Sequence, residues 1–356
     1  MTVSEQQSRA RASDHAVRGA GPPVPAGANV RPKWGGRLLR TAVTVAFIAL
    51  LLHLVHLGDL ARLVTSARPV PLLIALVVLI ADRFVMVGKW MPLLRVQVPD
   101  ARWFPALRAY LGSGVAQYLL PSTVGADAVR AAAVGRSRQT VAEVAASIVA
   151  ERLLGLSAGG VLACIALILA IHADLPLGSL LPWALAAFGV SVGVTLIPLV
   201  PGLAGWVERL ARRGRLPRGF NFVFRLSTAY QVYRRRPAVL AMVGLLSVGE
   251  QWFPIANLWL CAIAVGVHLS FTAAVVTMPL TLFVTRLPLS IGGLGVGEGA
   301  MVYLLGLFGV PVTAALAVSV LCRAVDVVVM VLPGMVFWNG IVADIRRRPA
   351  GTTPAG

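Results

Sequence analysis

The chain has 356 residues, 58% of them apolar and only 13% charged, with a formal net charge of +18. So apolar a composition excludes a soluble domain as the main body and points to a membrane protein. The basic excess does not mark a nucleic-acid binder, because the charges lie at the termini and between apolar segments, where they report membrane topology.

Residues 1–37 are rich in Ala, Gly, Pro, Ser and Arg and have almost no large apolar side chains, so they are expected to form a disordered cytoplasmic tail. A first span is expected at about 38–57, preceded by Arg31, Lys33, Arg37 and Arg40, which place the N-terminus in the cytoplasm. His53, His56 and Asp59 at its far end read as an amphipathic helix end, not a metal site, and Cys164, Cys261 and Cys322 are too scattered for a disulfide framework or a metal knuckle. No metal or other cofactor is expected.

A second span, about 70–92, contains Asp82, Arg83 and Lys89. Asp82 and Lys89 are seven residues apart and share a helix face, which must point into the bundle or toward an interface because charges facing lipid are costly. Lys89, near the cytoplasmic end, is expected to snorkel to the interface.

The apolar run 109–120 is too short to span and is predicted to be re-entrant. It breaks at Leu120-Pro121-Ser122-Thr123-Val124-Gly125 and returns through Asp127 and Arg130. A long helix over 140–171 follows, with Glu143 and Glu151 on one face and Arg152 turned away by about 100°. A span at 180–198 leads to a loop, 202–237, with nine arginines against the single acid Glu208. That is the strongest positive-inside signal in the chain.

The second half repeats the plan. A span at 239–265 carries Glu250, Gln251 and Asn257, and a segment at 271–285 leads to the break Leu287-Pro288-Leu289-Ser290-Ile291-Gly292-Gly293. A glycine-dense loop ending at Glu298, a short apolar segment at 300–308 and a last helix at 313–338 follow, the last carrying Arg323 and Asp326. The basic tail 341–356 is expected in the cytoplasm. The fold class is therefore an all-α polytopic membrane protein of about 6–8 transmembrane helices with two re-entrant or broken-helix segments, built as a two-half internal repeat over 38–200 and 238–340.

Matched Gly/Pro breaks in corresponding halves point to a transporter's binding site, since broken backbone within a bilayer is tolerated only where it is buried or lines a cavity. Each break frees N–H groups beside a helix start, which favours an anion. Asp127 is expected to cap the returning helix, with Arg130 one turn in, ready to join those N–H groups on a phosphate.

Three motifs extend this reading. They are Leu120-Pro121-x-x-x-Gly125-x-Asp127-x-x-Arg130, then Glu151-Arg152-Leu153-Leu154, then Pro288-x-Ser290-x-Gly292-Gly293-Leu294-Gly295-x-x-Glu298. The set resembles the flippase-like family typified by the transmembrane region of lysylphosphatidylglycerol synthase, over about 38–340. The resemblance implies an integral membrane domain that moves lipids or lipid-linked sugars between leaflets. In the bifunctional synthases an aminoacyltransferase domain follows, and only about 16 residues follow the last helix here, so lipid aminoacylation is not expected. Gly155 departs from the pattern: an acidic residue is expected three after Arg152, as Asp326 follows Arg323.

The expected site is a polar cavity between the halves, with Ser122, Gly125, Asp127, Arg130, Glu151, Arg152, Ser290, Gly292, Gly293, Glu298, Arg323 and Asp326 as its substrate-binding residues. The expected partners are membrane lipids, either anionic phospholipid or a polyprenyl-phosphate-linked sugar, in the plasma membrane. Competing readings are an integral membrane transferase acting on polyprenyl-phosphate sugars, a secondary transporter of a small solute, and a membrane scaffold. Arg152 and Arg323 can also serve structure, paired with Glu298, Asp326 or backbone carbonyls.

Overall fold

In hydrocarbon no water meets the backbone, so a spanning chain must satisfy its N–H and C=O groups within helices or closed barrels. Among the described residues every regular element is helical. The computed structural model describes residues 42, 45–46, 49–51, 53, 55, 57–119, 123–135, 138–196, 231–285 and 293–346. The expected N-terminal tail lies outside them, as do 202–230 of the basic loop and 347–356 of the C-terminal tail.

A short helix α1, Leu57–Thr65, precedes α2, Pro69–Gln97, which opens with Pro at its first turn, where a missing N–H costs nothing. Next come α3, Trp103–Leu119, α4, Thr123–Val134, and α5, Arg138–His172. After a turn of 3-10 helix, Gly178–Leu180, α6 runs over Leu181–Leu196. A second 3-10 segment, Gln231–Arg235, leads to α7, Pro237–Glu250, and α8, Trp252–Val265. The chain then forms α9, Phe271–Thr285, α10, Val296–Leu307, and α11, Val312–Arg346.

Corresponding elements of the two expected halves have similar lengths. α2 and the joined α7–α8 each cover 29 residues. α3 and α9 have 17 and 15 residues, α4 and α10 have 12 each, and α5 and α11 have 35 each. The first members of the two sets run antiparallel. At one end the Arg68 N–H, just before α2, donates to Ala264 O at the far end of α8 (2.9 Å). Toward the other end Lys89 of α2 meets Glu250 at the end of α7. Antiparallel counterparts are the mark of an inverted repeat.

The halves exchange partners. α3 of the first half packs on α11 of the second, and α9 of the second packs on α5 of the first. The α3–α11 contact is close because small residues face it: a Cβ at Gly334 would come within 2.7 Å of Leu111 O and 2.6 Å of Val115 Cγ2. The largest apolar core joins residues of α2, α8, α9, α10 and α11, including Leu79, Leu258, Val275, Leu305 and Leu316. α2 shows both of its environments. Val70, Leu73, Val77, Ile80 and Phe84 are exposed on one side, as a lipid-facing stripe should be, while Ala75, Leu79, Asp82 and Lys89 are buried on the other.

Among the described residues, four segments are long and apolar enough to cross a membrane on length and composition: α2, residues 140–172 of α5, the joined α7–α8, and residues 312–341 of α11. Shorter apolar helices, 178–193, α9 and α10, accompany them. The chain is thus a multi-pass membrane protein of all-helical class. Several boundaries differ from the sequence reading. α3 starts at Trp103, six residues before the apolar run it contains, because the aromatic Trp103 and Phe104 continue the helix outward. The span at 239–265 is two helices, with the break at Gln251, and α11 continues to Arg346, past Trp338.

Candidate functional site

The long helices carry charged side chains far from their ends. Asp82 and Arg83 lie 13 and 14 residues into α2, and Glu151 and Arg152 lie 13 and 14 into α5, so both pairs sit about 20 Å along their helices. Arg323 and Asp326 lie 11 and 14 residues into α11.

On α2, Arg83 is divided between two carboxylates. Its Nη2 lies 2.8 Å from Asp82 Oδ2 and 3.2 Å from Asp326 Oδ1 of α11. Asp82 is 4% exposed, and among the described residues its Oδ1 has no hydrogen-bond partner; Arg83 Nε is likewise without one. One turn and a half further along, Lys89 is 2% exposed and pairs with Glu250. This corrects the expectation that Lys89 snorkels: a carboxylate across the α2–α7 contact supplies inside the bundle the partner it would otherwise seek at the interface.

Behind this layer, Arg130 of α4 is enclosed. Its guanidinium carbon stands 3.6 Å from the centroid of the Trp90 ring and 4.8 Å from that of Tyr110. Its Nη2 donates to Glu151 Oε2 at 2.7 Å, with the two side chains 2% and 3% exposed. Trp90 is held in turn by a hydrogen bond from its indole N–H to Ser147 Oγ (3.0 Å). Four helices, α2 to α5, thus supply one box for one arginine. Tyr110 connects the two clusters, since Arg83 interacts with it from the other side.

The third arrangement occurs twice. Arg152 Nη2 donates to Asp127 Oδ1 of α4 (2.9 Å), and Arg323 Nε donates to Glu298 Oε1 of α10 (2.9 Å). Both pairs span 25 residues of sequence, and both tie a long helix to the short helix that follows a break. They are the more open pairs: the side chains of Arg152 and Arg323 are 50% and 31% exposed. Glu298 also accepts the Gly295 N–H through Oε2 (2.6 Å), so its carboxylate fixes the start of α10 while holding Arg323. Gly293 and Gly295 take φ of 76° and 78°, the left-handed region that a Cβ disfavours, which is why glycines stand where the chain turns into α10.

These positions revise two expectations. α4 begins at Thr123, so Asp127 lies in its second turn, out of reach of the first-turn N–H groups, and it binds Arg152 instead of capping. Arg130 does share that helix, and among the described residues it meets Glu151 and the rings of Trp90 and Tyr110. Glu298 is within the first turn of α10 and does not end a loop. The open position three after Arg152 is explained: Gly155 has no atom within 4 Å of where a Cβ would stand, and Arg152 finds its carboxylate on another helix. Gly125 is half-buried in the first turn of α4. Ser122, Ser290 and Gly292 lie outside the described residues, and with them the expected approach of Gly125 to Gly292.

Sequence reasoning missed Trp90, Tyr110 and the partner of Lys89. Trp90 and Tyr110 stand in apolar helices like any interfacial aromatic, and nothing local ties them to Arg130, which is 40 and 20 residues away.

An all-helical bundle with several long apolar helices, in which two short helices are each salt-bridged to a long one, defines the class: a polytopic membrane protein. The chain belongs to the family described as lysylphosphatidylglycerol synthase TM region, which matches residues 37–334. That membership ties it to a lipid-related role in the membrane. No curated protein matches the chain.

Proposed function

We propose that the chain is a translocase that moves a phosphate-bearing lipid head group between leaflets, through the polar region between its inverted halves, while the acyl chains stay in lipid. The observation that carries this is the pair of partly open arginines, Arg152 and Arg323, at matching places behind the two breaks. A guanidinium stays charged in the membrane and takes phosphate with two parallel hydrogen bonds.

Magnitudes decide which arginines meet the substrate. Breaking a buried charge pair by removing one partner costs about 3–5 kcal/mol, whereas a solvent-exposed pair is worth about 0–1 kcal/mol. The Asp127–Arg152 and Glu298–Arg323 pairs are only partly open, their carboxylates 24% and 12% exposed, so a phosphate displaces either carboxylate at a cost between those two limits. It cannot cheaply displace Glu151 from Arg130. Arg130 positions the bundle in this reading, and Arg152 and Arg323 pass the phosphate between halves. In this reading the membrane is the plasma membrane, and both termini and the basic 202–237 loop lie in the cytoplasm, an orientation that the arginine distribution supports.

The test is reconstitution into liposomes that carry labelled phospholipids and a polyprenyl-phosphate sugar, with one leaflet quenched by an impermeant reagent. Wild type should expose label from the inner leaflet faster than empty liposomes, and Arg152→Ala and Arg323→Ala should lose most of that rate. Equal rates in protein-free and protein-containing vesicles, for every head group, would overturn the reading.

A further inference from the structure

We propose that Asp82 is a proton-binding site at mid-membrane, and that its loading is coupled to the lipid movement. The coupling rests on the translocase reading; the proton site does not.

Asp82 differs from the other intramembrane carboxylates in its surroundings. Glu151, Asp127, Glu298 and Glu250 each hold a cation through a direct hydrogen bond. Asp82 has only an ion contact to Arg83, through a nitrogen that also serves Asp326, and its second oxygen is buried without any partner. A carboxylate so placed, about 20 Å along a 29-residue span, is desolvated and only partly compensated. Adding a proton removes the charge and gives the carboxyl a donor.

The groups around it come from every helix packed there. Arg83 and Lys89 lie on α2 itself, Glu250 at the end of α7 and Asp326 on α11. Tyr110 of α3 lies within electrostatic reach of Asp82, and Glu151 of α5 within reach of Tyr110. α8 brings no carboxylate or base to α2 and carries only the thiol of Cys261. Lys89 is committed to Glu250, so the cation available to Asp82 is a share of Arg83. The same guanidinium, 2.8 Å away, repels a metal cation from this carboxylate, whereas a proton needs only the one free oxygen.

Loading has a mechanical consequence. Charged Asp82 competes with Asp326 for Arg83 Nη2, and protonated Asp82 does not. Arg83 then passes wholly to Asp326, which strengthens the tie between α2 of one half and α11 of the other. Release of the proton returns the share and loosens the tie. A proton taken from one side and released to the other can in this way bias which side the halves open.

Infrared difference spectra of the full-length protein in lipid vesicles, recorded across pH steps with no labelled lipid present, read the site directly. Wild type should show a protonated-carboxyl C=O band that responds to pH and is lost in Asp82→Asn. In Asp326→Asn, where Arg83 is freed for Asp82, the band should shrink at a given pH. Absence of the band in wild type, or its survival unchanged in Asp82→Asn, overturns the site. Loss of the band on adding sodium at fixed pH, but not on adding choline, assigns the site to a metal cation and also overturns it. Coupling is read separately, by labelled-lipid movement under an imposed pH gradient with the membrane potential clamped. The gradient should accelerate wild type and leave Asp82→Asn unaffected. Wild-type movement indifferent to the gradient overturns the coupling alone, and vesicles in which no lipid moves overturn the translocase reading while the infrared band still decides the site.

Discussion

Arg152 reaches back 25 residues to Asp127, and Arg323 reaches back the same 25 to Glu298. Adding 171 to either member of the first pair gives its counterpart in the second (127 + 171 = 298; 152 + 171 = 323). The two Pro/Gly breaks follow a different step, 167, from Pro121 to Pro288 and from Gly125 to Gly292. The difference of four residues falls between break and pair, where the glycine-rich turn leads into α10. Repeated ion pairs behind repeated breaks are what two halves sharing one task would retain.

Equivalent pairs should respond equivalently. A double-mutant cycle on Asp127→Asn with Arg152→Ala, and another on Glu298→Gln with Arg323→Ala, should each give a coupling of about 0.5–3 kcal/mol, as residues in direct contact do. Thermal unfolding in detergent provides the measurement. A coupling near zero in either cycle would show that the pair seen here does not persist in the folded protein.

The enclosed arginine should behave in the opposite sense to the open ones. Arg130→Ala leaves Glu151 as an unpaired buried charge and removes the cation from between Trp90 and Tyr110, which should cost about 3–5 kcal/mol. Arg130→Lys should recover only part of it, because an ammonium lacks the planar fork and stacks less well on the rings. Reduced yield and a lowered Tm are therefore expected along with lost transport. Arg152→Ala, half-exposed, should lose transport with a smaller fall in Tm than Arg130→Ala. If Arg130→Ala keeps wild-type Tm, the structural role given to it here is wrong.

The sequence carried the class of the fold because apolar length answers to the bilayer directly. Partnerships were another matter. Arg83 and Asp326 are 243 residues apart, and Lys89 and Glu250 are 161 apart. Which cation meets which carboxylate is set by how the halves pack, and no local pattern encodes it. Asp127 was misread as a cap for a related reason: the start of α4 moved to Thr123 once that helix had α3 and α5 to pack against.

Close packing of α3 on α11 should be sensitive to a single methyl group. At Gly334 a Cβ meets backbone, Leu111 O at 2.7 Å, which cannot rotate away, so Gly334→Ala should destabilise by about 1–3 kcal/mol. Gly244 in α7 has nothing within 4 Å of a Cβ, and Gly244→Ala should be neutral or stabilising by up to about 1 kcal/mol. Retention of monodisperse protein through a heating series, followed by size-exclusion chromatography, separates the two. Equal behaviour would mean that the helices are further apart than described.

Topology can be tested in a way that separates what the fold requires from what the arginines suggest. The Arg68 N–H to Ala264 O bond puts the segment before α2 beside the end of α8, so Ser66 and His268, both exposed, must lie on one side of the membrane. At the other end of α2 the Tyr233 hydroxyl donates to Leu93 O (3.0 Å), which sets Arg235 on the same side as Asp100. Cys164, Cys261 and Cys322 are all buried, so single cysteines can be added to the native chain without a reactive background. In intact cells an impermeant maleimide should label Ser66→Cys and His268→Cys and spare Asp100→Cys and Arg235→Cys, which should label only after permeabilisation. The reverse pattern, with both pairs still matched, would keep the fold and invert the orientation read from the basic loop. Labelling of Ser66→Cys without His268→Cys, or of Asp100→Cys without Arg235→Cys, would contradict the antiparallel packing of α2 on α8 and with it the inverted repeat.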